Sequence, residues 1–174
     1  MSWFLCLGGA EDFLNSSRGG LSFRDKDYYS LFQQQGYSIA YDNTQLQALN
    51  NNTKALGVFS VSNMAKWLDH NAYTANLENK MTDPTSSKGD ALNQPGLLEM
   101  TNKAIDIVQK RSNGNGWFVM SEAASIDKQM HALDYERVLG ELLELDDTVR
   151  GSIAKLKDLG VFNDTLIIVT SDHG

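Results

Sequence analysis

Two short apolar runs, Trp117-Phe118-Val119-Met120 and Leu166-Ile167-Ile168-Val169, lead directly into carboxylate and imidazole side chains. Runs this short and apolar on both sides suit strands buried in a parallel sheet better than strands with one wet face. Glu122, Asp127 and His131 follow the first run. Asp172 and His173 follow the second, Asp172 standing forty-one residues after His131. All five therefore gather at carboxyl strand ends, the edge at which open α/β sheets bind what they act on.

The rest of the chain keeps the same alternation. Residues 1–7 read as a first strand closed by the Gly8-Gly9 turn, and 25–35 as a short helix stopped by Gly36. Tyr37–Asp42 reads as a strand, 44–50 as a second short helix and Leu56–Ser60 as a third strand. Residues 69–95 hold both prolines with many Asn, Thr, Ser and Asp and show no apolar period, so they read as a long surface excursion. Leu97, Leu98, Ala104, Ile105 and Val108 mark an amphipathic helix over 97–111, closed by Ser112 to Gly116. In the next helix Val138, Leu142, Leu145, Val149, Ile153 and Leu156 form a stripe expected to be buried, with Gly160 as the stop. The alternation predicts one α/β region over 1–174, a three-layer α/β/α sandwich around a mainly parallel sheet.

At 174 residues and 41% hydrophobic content the chain can build a sizeable core. A net charge of −7 opposes nucleic acid and anionic membrane as partners. No stretch approaches the roughly 20 apolar residues of a membrane span. The residues carry no targeting signal that names a compartment. The single cysteine, Cys6, rules out an internal disulfide and reads as a small core residue.

Asp127 and His131 are four apart, so one helical turn aims both the same way, at a separation that suits a shared ion. Singly, each carboxylate reads as solvated or capping. The chain has only three histidines, however, and two of them stand in carboxylate-His spacings after apolar runs. The third, His70, reads as exposed at a helix end. Asp146 and Asp147 read as solvated or paired with Arg150, and Tyr28, Tyr29 and Phe32 as packing.

The stretch from Trp117 to His131, with Asp164 to His173, resembles the metal-binding half of alkaline phosphatases. Weaker agreement extends upstream to the Leu7-Gly8-Gly9 turn and to Leu56-Gly57-Val58-Phe59. The resemblance implies that Glu122 serves magnesium, Asp127 and His131 one zinc, and Asp172 and His173 the other zinc and its surroundings. Carboxylates suit Mg²⁺ and mixed carboxylate-imidazole sets suit Zn²⁺; two cations about 4 Å apart stabilise attacking and leaving oxygens in phosphoryl transfer.

The resemblance further implies a phosphate monoester substrate and a homodimer for the full-length form. The family's serine nucleophile, its substrate arginine and its last zinc histidine have no counterpart here, so the chain is expected to be a piece of a longer enzyme and inactive alone. Ala123-Ala124 stands where relatives carry a glycine pair, and Lys128-Gln129 replaces a more usual His-Gly. Lys128 reads as solvated, with contact to phosphate or to metal-bound water as the other reading. A sulfatase or phosphodiesterase relative is the rival enzyme reading, which Glu122 argues against, and a non-catalytic metal-binding fragment is the rival of another class.

Overall fold

In the computed structural model, which describes residues 3–171 and 173, three strands form one parallel sheet. They are β1 (Phe4–Leu7), β2 (Tyr37–Ala40) and β3 (Lys54–Val58), in the order β1-β3-β2. Cys6 lies opposite Gly57 in one ladder, and Ala40 opposite Gly57 in the other. Strand periodicity then sorts the core into two faces. Leu56 and Val58 pack with Tyr29, Tyr37, Leu14 and Ala10 on one side, where α1 (Tyr28–Gln34) covers the sheet. Phe59, Ala40 and Leu46 pack on the other with Phe4, Cys6 and Met100, under α2 (Asn43–Ala48) and α4 (Leu97–Ser112). This is the expected α/β layering, with helices on both faces.

Local chemistry explains the element ends. The Asp27 carboxylate accepts from Ser30 N at 3.1 Å to start α1, and Asp42 accepts from Gln45 N at 2.7 Å to start α2. Gly36 and Gly160, with φ of +79° and +71°, end helices as their sequence positions predict. A short helix, α3 (Trp67–Asn71), follows β3; α5 (Ser125–His131) and the long α6 (Tyr135–Asp158) complete the α set. Among the described residues no helix is long and apolar enough to cross a membrane.

Three expectations are corrected. Residues 117–120 and 166–169 are not ladder strands but extended segments without sheet partners. Most of their apolar side chains face outward, Phe118 and Leu166 each being 83% exposed, while Trp117 and Val119 are half-buried. A two-faced apolar strand needs neighbours on both edges and layers on both faces, and the described residues supply neither. The stripe on α6 is only partly covered, since Leu142 is 51% exposed while Gly140, Glu141, Thr148 and Leu156 are buried. The small Gly140 lets Trp67 and Leu68 approach, which widens the packed face of α6 beyond the stripe, of which Val138, Leu145, Val149 and Ile153 are half-buried and Leu156 buried. Finally, residues 69–95 are not a mere surface excursion. Leu77, Thr82, Asp83 and Ala91 in that stretch are buried, held by turns and backbone hydrogen bonds that no apolar period announces.

The long helix is fixed by carboxylates. Glu141 accepts from Trp67 N at 2.7 Å and Glu144 from Leu97 N at 2.9 Å, so two side chains of α6 cap the first turns of α3 and α4. Arg137 binds Asp69 and Asp134, each at 2.8 Å, and Lys155 binds Asp106 at 2.7 Å. Burial raises Glu144 above the ordinary carboxyl range; the Leu97 amide opposes this, while Glu141 and Glu99 add to it.

Two outcomes are expected. Gly57→Ala brings a Cβ to 2.2 Å from Phe59 Cζ and 2.7 Å from Cys6 Sγ, inside a fully buried contact. It should lower the denaturation midpoint by an amount equivalent to about 1–3 kcal/mol; an unchanged midpoint would mean the ring has another place to go. For Glu144 the folded value is raised, so its contribution is fullest below the unfolded carboxyl range and is lost as pH rises through the folded value. Glu144→Gln keeps an acceptor for Leu97 N without the charge. It should melt at or above the wild-type temperature near neutral pH, the difference closing as pH falls to about 4. A variant less stable than wild type at neutral pH but matching it in acid would show that the ionised cap is net stabilising.

Candidate metal centre

The site is built on α5 and on the segment that follows α6. The helical repeat of α5 puts His131 Nε2 at 3.4 Å from Asp127 Oδ2, as the four-residue spacing predicts. The far end of the chain arrives at the same carboxylate: His173 Nε2 lies 3.8 Å from Asp127 Oδ1. One carboxylate is thus bracketed by two imidazoles from segments more than forty residues apart. All three side chains are open to solvent, His131 being 78% exposed.

Glu122 is exposed on the extended segment that precedes α5, and no contact ties it to Asp127. Ser121 Oγ meets Thr101 Oγ1 at 2.6 Å, and Trp117 Nε1 donates to Gln109 Oε1 at 2.6 Å, so two points fasten this segment to α4. Asp172 lies outside the described residues. Among those that are described, no three His, Cys, Asp or Glu side chains converge closely enough to hold an ion. Of the five residues, the described part of the chain shows two pairwise contacts, Asp127 with His131 and Asp127 with His173, while Glu122 stands apart.

The donor chemistry of that trio fits a cation of zinc type. Tetrahedral zinc with bonds near 2.1 Å separates two ligand atoms by about 3.4 Å, the same as the His131–Asp127 spacing of 3.4 Å. The 3.8 Å to His173 is wider than one tetrahedral edge, so His173 would serve a different ion from the one Asp127 and His131 would hold.

Sequence reasoning missed Lys66, which precedes α3. Its ammonium donates to Met64 O at 2.8 Å and is partly buried. Burial lowers its pKa most, the charge of Lys128 adds to the shift, and Glu141 and Asp69 oppose it. Lys66 thus sits among Glu141, Asp69 and, more weakly, Lys128 and Arg137, groups that no sequence motif links. His70 is also not simply exposed: it is half-buried, its Nε2 has no hydrogen-bond partner, and burial lowers its pKa. Asp146 and Arg150 are paired as expected, and Tyr29 and Phe32 belong to the core.

A family model for alkaline phosphatase matches residues 6–174, so the chain belongs to the alkaline phosphatase family. It is 34% identical over 173 residues to an alkaline phosphatase of Escherichia coli (strain K12), and 33% identical over 171 residues to alkaline phosphatase H of Pseudomonas aeruginosa (strain UCBPP-PA14). Both alignments cover 95% of this chain and 35% of the relative. Streptomycin-6-phosphate phosphatase of Streptomyces griseus is 31% identical over 96% of this chain and 37% of its own length. The fold matches the crystal structure of Thermus thermophilus alkaline phosphatase with a TM-score of 0.69 at 22% identity, over 91% of this chain and 28% of that one. The chain spans about a third of the length of these curated relatives.

Titration calorimetry of the purified chain should show zinc bound weakly, since Asp127, His131 and His173 offer fewer ligands per ion than the four of a closed site. His131→Ala and Asp127→Ala should each weaken it at least tenfold. Binding that survives both substitutions unchanged would remove the assignment.

Proposed function

We propose that the protein to which this chain belongs hydrolyses phosphate monoesters, and that this stretch supplies metal ligands for the reaction. The observation that carries the reading is Asp127 held between His131 and His173, in a chain of the alkaline phosphatase family. One relative is named for a phosphate ester, streptomycin-6-phosphate, which supports that substrate class.

Asp127 and His131 hold one zinc and His173 with Asp172 belongs to the second, while Glu122 serves magnesium. Bound there, divalent cations supply positive charge that polarises the phosphoryl group and stabilises entering and leaving oxygens. The residues of this chain do the rest of the work assigned to it. Asp127 presents one oxygen to each imidazole and offsets part of the cationic charge. Packing of α5 on α6 keeps the Asp127-His131 pair in register. Lys128, on the same helix and next to Asp127 in the chain, adds positive charge where an anionic ester approaches an otherwise acidic protein.

In the full-length protein, an aryl phosphate assay should show turnover that chelation removes and zinc with magnesium restores. Asp127→Ala and His131→Ala should each lose more than about a hundredfold in kcat together with zinc content. Glu122→Ala should lower kcat while zinc stays bound, with partial recovery in excess Mg²⁺. Full activity in Glu122→Ala, or loss of zinc as complete as in His131→Ala, would point to a two-metal sulfatase or phosphodiesterase chemistry instead.

A further inference from the structure

Two asparagines of the chain precede a glycine, Asn113 and Asn115, and both lie in the loop that closes α4. Every residue from Asn113 to Gly116 is exposed. An asparagine side-chain amide is open to attack by the backbone nitrogen of the next residue. Glycine in that next position offers no Cβ to block the approach. The two sites share this local sequence, but the fold treats them differently.

Asn115 is tied down. Its backbone N–H and its side-chain Nδ2 both donate to Ser112 O, at 3.0 and 3.1 Å, and Ser112 is buried at the end of α4. The Asn115 side chain cannot swing towards Gly116 N until Nδ2 lets go of that carbonyl, and the backbone bond holds the turn around it. Asn113 carries no such restraint: neither its side chain nor the Gly114 N–H makes a hydrogen bond to a described residue. Asn113 is the left-handed residue that ends α4, with φ +48° and ψ +39°, and Gly114 follows at φ +84°. The left-handed region crowds the Cβ of an L residue against the following carbonyl, so leaving it relieves a contact. Nothing lies within 4 Å of the position a Gly114 Cβ would take, which gives the peptide between the two residues room to turn its nitrogen onto Asn113 Cγ.

We propose that Asn113 is a site of spontaneous self-modification, reacting ahead of Asn115. Gly114 N gives up its proton to solvent hydroxide and bonds to Asn113 Cγ. The Cγ–Nδ2 bond breaks, and Nδ2 takes a proton from water and leaves as ammonia, so a cyclic imide remains. Water then opens the ring. Cleavage at Cγ yields aspartate, and cleavage at the main-chain carbonyl yields isoaspartate. Either product sets a carboxylate beside Lys110 and Arg111 in the last turn of α4. Isoaspartate also lengthens the main chain by one methylene between α4 and Trp117, whose Nε1 is fastened to Gln109.

Peptide mapping by mass spectrometry tests this on the intact chain held at mildly alkaline pH, beside the same chain in denaturant, with enzymatic methylation to read isoaspartate. In the folded chain, acid should form at Asn113 at least fivefold faster than at Asn115. In denaturant the two rates should come together, because only the fold separates them. Gly114→Ala should slow Asn113 at least tenfold. Since a positive φ strains alanine there, Asn113→Ser is the second variant, and it should remove the fast product and leave the slow one at Asn115. Equal rates in the folded chain, a preference for Asn113 that persists in denaturant, or an Asn113 that stays intact in the folded chain while the denatured one reacts would each overturn the assignment.

Discussion

Two carboxylates on one helix hold the molecule's parts in register. Glu141 and Glu144 stand one turn apart on α6 and accept from the first turns of α3 and α4, so the longest helix is keyed to two others by charge-assisted hydrogen bonds rather than by a leucine seam. The helix that carries Asp127 and His131, α5, packs directly against α6 and so is located by the same long helix. Burial raises both glutamates, so this keying costs desolvation that the amide donors only partly offset. A helix fixed this way is specified in rotation and in height, which an apolar stripe alone would leave free to slide.

That arrangement bears on how the site works. Asp127 and His131 need only one helical turn to face each other, but His173 reaches them through everything between α5 and the far end of the chain. The parallel sheet and α4 supply a rigid backing, to which Trp117 and Ser121 fasten the segment leading into α5. Glu122, one residue past the last fastening point, stays exposed and apart from the trio. The two halves of the proposed centre thus differ in kind: one is set by local helix geometry, the other by the long-range fold.

What the sequence revealed follows the same division. The i,i+4 pair on α5, the glycine stops at Gly36 and Gly160, and the three paired strands were legible because each rests on contacts a few residues apart or on a run of one residue type. The runs at 117–120 and 166–169 have strand composition, but ladder pairing is a property of neighbours, and composition cannot supply them. The buried face of α6 was only partly foreseen because Gly140 and two glutamates share its contacts with Leu156, while Leu142 faces outward. Asp83 and Thr82 were read as surface since polar residues in a proline-bearing loop ordinarily are; their burial comes from turn hydrogen bonds that leave no periodic trace. Lys66 lies too far from Lys128 in the chain for any motif to join them.

Gly57 lacks a side chain so that Phe59 and Cys6 can share the space beside β3, and this makes the cysteine chemically quiet. Burial holds its thiol far above the ordinary cysteine range, the Gly57 amide opposing only part of the shift, so almost no thiolate forms at neutral pH. Cys6 nonetheless keeps some exposure, so a thiol reagent meets it in the closed sheet and is held back by the scarcity of thiolate: the chain's single cysteine is guarded by its chemistry more than by a wall.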